Sequence, residues 1–327
     1  MQRHTAQTEP VRPPHYPLSG WVEAGLYVVA ISILTLTYVV GYGLGAHPIA
    51  FVLYAMVTSA VALLAVTGLG PDARAIALAP QSWLVGAGTI LMEIFYYLLL
   101  AHIAPAHGSL IVRLSIPASM LTAFVLFRRR PPGLAVAGGL VVLAGILPLV
   151  LLVPAPHRLE VLLWGLAAAA SFNLRGFSAE FHPWNRHART IMEKLRVTGV
   201  IVLVTSLAGL AATALAAVLV RAGLLPDTPM VPSLGQMLHP PTVLLGVLVG
   251  SIILTAMAYL SFSSVVKITT ENFAATSAFT PVATLIVQLI GSAAGLIPAY
   301  AIDWSLLPAM ATVIGGVLLI MHAARRR

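Results

Sequence analysis

The chain has 327 residues, of which 59% are hydrophobic and 9% charged, and its mean hydropathy is +0.96. Soluble domains carry charge on about a quarter of their residues, so this composition excludes an ordinary soluble protein and indicates an integral membrane protein. The net charge of +8 does not indicate a nucleic-acid partner, because the basic residues are dispersed and have no aromatic residues interleaved with them. The lack of cysteine excludes disulfides and thiolate chemistry.

In chain order, the first 20 residues are rich in proline and predict a disordered cytoplasmic tail without a secretory signal. A membrane-spanning helix needs roughly 20 mainly apolar residues, and ten later segments meet this requirement. We therefore predict an all-α integral membrane protein with ten transmembrane helices, at about residues 22–44, 48–68, 82–103, 106–127, 132–153, 159–178, 196–221, 241–263, 271–294 and 304–323.

The distribution of basic residues favours ten crossings with both termini in the cytoplasm. If the N-terminus is inside, 14 of the 18 Lys and Arg residues fall in cytoplasmic segments, including runs at 128–130 and 325–327. Cytoplasmic loops of membrane proteins carry such an excess of positive charge. We therefore expect a multi-pass protein of the cell (inner) membrane.

The two halves of the chain share a pattern. Ile90, Leu91 and Tyr96 recur 163 residues later, and Pro117 recurs 164 residues later as Pro281. Because five helices reverse the direction of the chain, the second copy is inverted relative to the first. The predicted organisation is a tail at 1–20, a first five-helix repeat at 21–178, a cytoplasmic linker at 179–195, a second repeat at 196–324 and a basic end at 325–327.

Prolines and glycines occupy matching places in the two repeats. Pro117 and Pro281 each remove a backbone hydrogen bond near the middle of the membrane, either as plain kinks or as hinges that line a substrate path. Gly138-Gly139 matches Gly315-Gly316 at an offset of 177. Such small residues allow helices to pack closely in lipid. Alternatively, these glycines form the surface through which two copies of the protein make a homodimer.

Ten helices, cytoplasmic termini, an inverted five-plus-five repeat and prolines in the fourth and ninth helices together resemble the drug/metabolite transporter superfamily, EamA type. The resemblance covers about residues 20–324. It implies that helices 1–4 and 6–9 surround a central cavity and that helices 5 and 10 pack at the side. It also implies that the substrates are small metabolites such as amino acids.

Two ionisable side chains fall well inside predicted helices, where a charge costs roughly 2.5–3.5 kcal/mol. Glu93 lies near the middle of the third helix, and Arg113 lies about seven residues into the fourth. Folding these helices as a hairpin brings both residues to a similar depth, so their side chains can meet. They form either a structural salt bridge or a site in which Arg113 binds a carboxylate or phosphate. In such a site Glu93 holds Arg113 between substrates, receives a substrate amine or takes up a proton.

Other side chains complete the predicted site. Arg175, near the cytoplasmic end of the sixth helix, is expected to extend to water. No ATP-binding loop, metal-binding motif or nucleophile elbow occurs in the sequence, so we expect no cofactor, no metal and no catalytic residue. The further candidates for lining the cavity are Tyr38, Tyr96, Tyr97, Asn173, Tyr259, Ser277 and Thr280.

The sequence thus predicts a secondary transporter rather than an enzyme. It would export or exchange a small polar or anionic, amino-acid-like metabolite by alternating access, and its partners would be this substrate and the lipid bilayer. The alternative is a membrane-embedded enzyme or flippase that handles lipid headgroups or lipid-linked substrates with Glu93 and Arg113.

Overall fold

The computed structural model describes residues 17–325, without the side chains of residues 265, 266, 269–272, 274, 275, 324 and 325. Most of the predicted tail and the last two residues of the basic end therefore lie outside the described residues. Residues 17–325 contain helices and no β-strand. The helices are α1 Leu18–Gly43, α2 Pro48–Thr67, α3 Ala73–Leu78, α4 Pro80–Leu100, α5 Pro105–Ile111, α6 Ser115–Phe127, α7 Gly133–Leu152, α8 Ala155–Phe181, α9 Pro183–His187, α10 Ile191–Arg221, α11 Leu234–Met237, α12 Pro240–Leu248, α13 Thr255–Ser277, α14 Thr280–Ala293 and α15 Leu306–Arg325.

Eight helical segments within 17–325 are long and apolar enough to cross a membrane, so the prediction of a multi-pass all-α membrane protein is confirmed. They are Leu18–Gly43, Pro48–Thr67, Pro80–Leu100, Pro105–Phe127, Gly133–Leu152, Ile191–Arg221, Leu234–Ser264 and Leu306–Ala323. These match the first to fifth, seventh, eighth and tenth predicted segments. The sixth predicted segment is α8, whose 27 residues are long enough to span but include several charged side chains.

The eighth and ninth predicted segments have different boundaries in the structure. Helix α13 continues through the expected loop between residues 263 and 271, and the helical hydrogen bonding stops instead at residues 278 and 279. Helix α14 starts at Thr280 with Pro281 in its first turn. Proline is tolerated there because the first N–H groups of a helix have no partner within the helix. Pro281 therefore marks a helix start rather than a kink within a helix.

The fourth predicted segment is broken near its proline. A 3-10 turn at Val112–Leu114 joins α5 to α6, three residues before Pro117. Pro117 has no N–H to donate to the carbonyl of Arg113 four residues earlier, and its ring crowds that carbonyl. The local tightening of the helix follows from this lost hydrogen bond, and it places Arg113 within the break.

Helices α7 and α15 approach each other through glycine. A Cβ atom placed on Gly138 would lie 2.6 Å from the carbonyl oxygen of Gly316, and one placed on Gly316 would lie 2.7 Å from that of Gly138. These distances are too short for any side chain, so the close approach of the two backbones depends on both glycines. A Cβ on the neighbouring Gly315 would meet nothing within 4 Å. One glycine of the second pair therefore makes the contact and the other does not.

A buried histidine joins the segment after α8 to the start of α4. His182 is fully buried, and its Nε2 lies 2.8 Å from the hydroxyl of Ser82. That hydroxyl donates to the carbonyl of Ile76 at 2.6 Å, and His182 Nδ1 accepts from the backbone N–H of Asn185. Nε2 must therefore carry the ring hydrogen, and Nδ1 must carry none. The imidazole of His182 is therefore neutral.

We expect acid to destabilise the fold through His182. Burial lowers its pKa below the usual value of 6.5, so the stabilisation is complete above that value and is lost as the pH falls from 6.5 towards the lowered pKa. Melting temperatures of the detergent-solubilised protein between pH 7.5 and 5.5 would measure the loss. His182→Gln should flatten this dependence, whereas His187→Gln, at an exposed position in α9, should leave it as in the wild type. Equal pH slopes for the two variants would contradict the assignment.

Candidate functional site

Glu93 is a buried carboxylate on α4, 6% exposed. The hydroxyl of Tyr38 on α1 donates a hydrogen bond to its Oε2 at 2.7 Å. Arg175 on α8 is close enough for its charge to act on the same carboxylate. The hydroxyl of Tyr38 and the charge of Arg175 therefore both stabilise the ionised carboxylate of Glu93, and they come from two different helices.

Tyrosines from α1 and α4 surround this carboxylate. The rings of Tyr38 and Tyr97 are stacked, with centroids 4.6 Å apart and planes at 13°. The ring of Tyr96 stands edge-on to that of Tyr38 at 6.2 Å, and its hydroxyl lies 3.0 Å from that of Thr35. The structure thus brings together four of the predicted site residues, Tyr38, Glu93, Tyr96 and Tyr97. Their mutual contacts hold α1 against α4.

Arg113 is half-buried and has no ion partner among the described residues. Its Nε is buried and has no hydrogen-bond partner, and no carboxylate among the described residues lies within 4 Å of its guanidinium. The predicted meeting of Glu93 with Arg113 is therefore not observed, because Glu93 bonds to Tyr38 instead. Tyr96 lies within electrostatic range of both charges.

The 3-10 turn accounts for the different direction of Arg113. Three residues of a 3-10 helix turn the chain by about 360°, whereas three residues of an α-helix turn it by about 300°. The hairpin prediction assumed an unbroken α-helix through Arg113, whereas the structure has a 3-10 turn there. Arg113 belongs to the same cluster as Glu93 without touching it.

Tyr27 is a site residue that the sequence analysis missed. It lies on α1 within electrostatic range of Arg175, Glu93 and Arg113, and its ring packs edge-on against Phe273 at 4.9 Å. Tyr27 precedes Tyr38 by 11 residues, which is about three helical turns and places both rings on one face of α1. This spacing was the signal in the sequence that could have identified it.

Arg175 adds a second positive charge near the site. It is half-buried, and its charge acts on Glu93 and on Tyr27. A Cβ placed on Gly88 of α4 would lie 2.7 Å from the backbone nitrogen of Arg175, so α8 approaches α4 closely at this level. The described charges of the cluster are one carboxylate and two guanidinium groups. They sum to a single positive charge when Glu93 is ionised.

The remaining predicted residues are placed differently. Asn173 is 7% exposed and lies two residues before Arg175 on α8. Thr280 donates from its hydroxyl to the carbonyl of Ser277 at 2.7 Å, across the break before α14. Tyr259 is 42% exposed, in contrast to its counterpart Tyr96 at 8%. No described contact brings Thr280 or Tyr259 to Glu93.

Large buried side chains are unevenly distributed along the bundle. The large, fully buried side chains lie mainly in the half that the charge distribution predicts to face outward, and they include Tyr38, Phe51, Leu53, Tyr97, Leu99, Leu110 and Ile111. Hydrogen bonds also join helices in this half. The hydroxyl of Thr284 donates to that of Ser32 at 3.1 Å, and the backbone N–H of Ala106 donates to the side-chain oxygen of Gln288 at 3.1 Å. By contrast, most of α6 is half-buried or exposed. The large buried side chains are therefore concentrated on the predicted outward side of the cluster.

The hydrogen bond to Glu93 supplies a direct prediction for stability. Tyr38→Phe should lower the free energy of unfolding by about 1–2 kcal/mol, because a buried carboxylate loses its hydroxyl donor. Tyr42→Phe is the matched control, since the hydroxyl of Tyr42 is buried with no partner and its ring also packs on Tyr97. Thermal unfolding of both variants in one detergent gives the comparison. A Tyr42→Phe variant that is as destabilised as Tyr38→Phe would sink the prediction.

No protein-family model and no curated protein matches this sequence. Among solved structures, one described as "Crystal structure of protein" superposes with a TM-score of 0.54, covering 96% of this chain and 100% of its own, at 20% sequence identity. At this identity the match shows a shared overall fold alone. The chemistry of the site therefore has to be argued from its own residues.

Proposed function

We propose that this protein is a secondary transporter of a small anionic or zwitterionic metabolite, of which an amino acid is the model. The observation that carries the proposal is Arg113, a cation inside a membrane-spanning segment with no counter-ion among the described residues. An arginine at the centre of a membrane costs roughly 2.5–3.5 kcal/mol or more. Intramembrane charges of this kind normally mark a path for a substrate or ion.

The chemistry of the cluster suits an anionic group. The guanidinium of Arg113 can bind a carboxylate or phosphate through two parallel hydrogen bonds. The single positive charge of the described cluster would be neutralised by one substrate anion. An amino acid would place its carboxylate on Arg113 and its amine towards Glu93, with Tyr27 and Tyr96 between them. Asn173 would supply an amide for further hydrogen bonds.

The packing of the helices supports an inverted repeat of five plus five, with ten crossings and both termini in the cytoplasm. The contact of α4 with α8 has its counterpart in the contact of α1 with α13, and the contact of α1 with α14 has its counterpart in that of α6 with α8. Three pairs, α2 with α10, α5 with α14, and α7 with α15, join corresponding helices of the two halves. This pattern is what a pseudo-two-fold axis in the membrane plane produces, and it accords with the resemblance to the EamA-type transporters.

The breaks near the two prolines supply the moving parts of an alternating-access cycle. The 3-10 turn next to Pro117 and the gap before Pro281 interrupt the fourth and ninth predicted segments. Both segments can bend there without breaking additional hydrogen bonds. We expect such a cycle to export or exchange the substrate across the cell (inner) membrane.

The test is transport by the purified protein in proteoliposomes. Radiolabelled amino acids, dicarboxylates, sugar phosphates and inorganic phosphate are added to vesicles preloaded with the unlabelled compound, with protein-free vesicles as the control. The proposal predicts exchange of at least one anionic or zwitterionic compound and none of neutral sugars. Flipping of a labelled anionic lipid, with no exchange of any soluble compound, would replace the proposal by a lipid-handling function.

A further inference from the structure

Two histidines and a glutamate meet at the junction of α4 and α8, away from the charged cluster. His102 lies in the turn after α4, and His157 and Glu160 lie one turn apart at the start of α8. His102 Nε2 and His157 Nδ1 each lie 3.3 Å from the same carboxylate oxygen, Oε2 of Glu160. All three side chains offer a ligand atom within 4.8 Å of the other two. We propose that His102, His157 and Glu160 form a binding site for a divalent transition-metal ion, with Zn²⁺ as the best match.

The spacing of the ligand atoms fits a tetrahedral ion. Zinc binds histidine nitrogen at about 2.0–2.1 Å and carboxylate oxygen at about 2.0–2.2 Å. In a tetrahedron with these bond lengths, neighbouring ligand atoms are about 3.3–3.5 Å apart. The two nitrogen-to-oxygen distances of 3.3 Å meet this condition. Small rotations of the side chains complete the arrangement, with the fourth position open to water.

One alternative is a hydrogen-bonded cluster, in which each neutral imidazole donates its N–H to Glu160 Oε2. The other is an ion-pair cluster, in which both imidazoles are protonated and share Glu160. The rings of His102 and His157 are stacked, with centroids 4.9 Å apart and planes at 28°. Two imidazolium ions at this distance would repel each other, and one carboxylate would have to balance both. An uncharged imidazole presents a lone pair on one ring nitrogen. A single dication satisfies both lone pairs and the carboxylate together.

The choice of donor atoms selects the class of metal. Imidazole nitrogen binds zinc, nickel, copper and cobalt well, whereas Mg²⁺ and Ca²⁺ prefer oxygen ligands only. The set of two histidines and one glutamate leaves a coordination position free, as in known three-ligand zinc sites. The side chains of His102, His157 and Glu160 are 25%, 48% and 52% exposed, so an ion can enter from water.

A bound ion would link two helices that carry the charged cluster. Helix α4 holds Glu93, and α8 holds Asn173 and Arg175. The metal ligands are at the C-terminal end of α4 and the N-terminal end of α8. Binding there would stabilise the arrangement in which these ends are together, and any movement that separates them would be opposed. The site therefore offers a way for a metal ion to stabilise the conformation described here.

The experiment uses the purified full chain, with any purification tag removed and the protein stripped with EDTA. Co²⁺ is titrated first, because tetrahedral cobalt gives an intense visible absorption, and Zn²⁺ is then added to displace it. We expect one ion per chain, a rise in melting temperature with Zn²⁺ that EDTA reverses, and no rise with Mg²⁺ at the same concentration. No Zn²⁺ binding by the wild type, or an equal response to Mg²⁺, would overturn the proposal.

Substitution of each proposed ligand tests whether the ion binds at this cluster. His102→Ala, His157→Ala and Glu160→Gln should each weaken Zn²⁺ binding at least about tenfold, while their melting temperatures without metal stay near that of the wild type. His187→Ala, which removes an exposed histidine elsewhere, should bind as the wild type does. Three separate ligand variants are used so that the comparison survives the loss of one to misfolding. Unchanged affinity in the variants that fold would assign the ion to another place and refute the site.

Discussion

Arg113→Gln should abolish transport and at the same time leave the protein at least as stable as the wild type. Arg113 has a buried Nε without a hydrogen-bond partner and no carboxylate within 4 Å among the described residues, so its removal eliminates a desolvation cost without breaking an ion pair. Loss of its contacts to a bound anion should weaken binding by roughly 2–5 kcal/mol, or about 30-fold or more. Ligand-induced shifts in melting temperature and exchange in proteoliposomes measure the two effects separately.

The opposite directions of these two effects distinguish a binding role from a structural one. If Arg113 were structural, the variant protein would be less stable than the wild type, and its loss of activity would follow from misfolding. Arg113→Lys keeps the charge but not the planar fork, so it should retain weak binding. Arg186→Gln, at an exposed position in α9, is the control and should transport normally. Normal exchange by Arg113→Gln would refute the role of Arg113 in the site.

Gly316→Ala should destabilise the protein, and Gly315→Ala should not. A Cβ on Gly316 meets the carbonyl oxygen of Gly138 at 2.7 Å and the backbone nitrogen of Val142 at 2.9 Å. Backbone atoms cannot rotate away, so α7 and α15 would have to separate, at a cost of about 1–3 kcal/mol. A Cβ on Gly315 meets nothing within 4 Å, and alanine favours a helix over glycine by about 1 kcal/mol.

The two alanine substitutions are therefore expected to change the stability of the protein in different directions as well as by different amounts. Thermal unfolding in the same detergent should show a lower melting temperature for Gly316→Ala and an unchanged or higher one for Gly315→Ala. Because the two residues are adjacent, differences in detergent binding or expression are largely matched. Equal melting temperatures would mean that α7 and α15 do not pack as described.

Much of the fold could be predicted because hydropathy and length determine which segments enter a membrane. The first five segments were placed within a few residues of the helices observed, and proline positions located both helix breaks approximately. The boundary between the eighth and ninth segments could not be predicted. Residues 263–271 contain polar side chains typical of a loop, yet the structure continues α13 through them. Continuity of a helix depends on what packs against it, and Ser264 and Lys267 both contact α1.

The site was predicted in part for a related reason. Charge inside an apolar segment is visible in the sequence, so Glu93 and Arg113 were found directly. Their partners depend on side-chain direction, which a 3-10 turn changes and a hairpin count ignores. The hydrogen bond from Tyr38 to Glu93 joins helices that are not adjacent in the chain. Tyr27 and Arg175 enter the site by the same long-range packing, which residue spacing alone does not determine.

The contact between Gly138 and Gly316 also has a consequence for self-association. Both glycines face each other within one chain, so this contact is unimolecular, and its occupancy does not depend on the number of protein molecules per lipid. A homodimer held by the same glycines would dissociate on dilution in lipid, whereas this pair persists. A homodimer of this protein would therefore have to form through another face of the bundle.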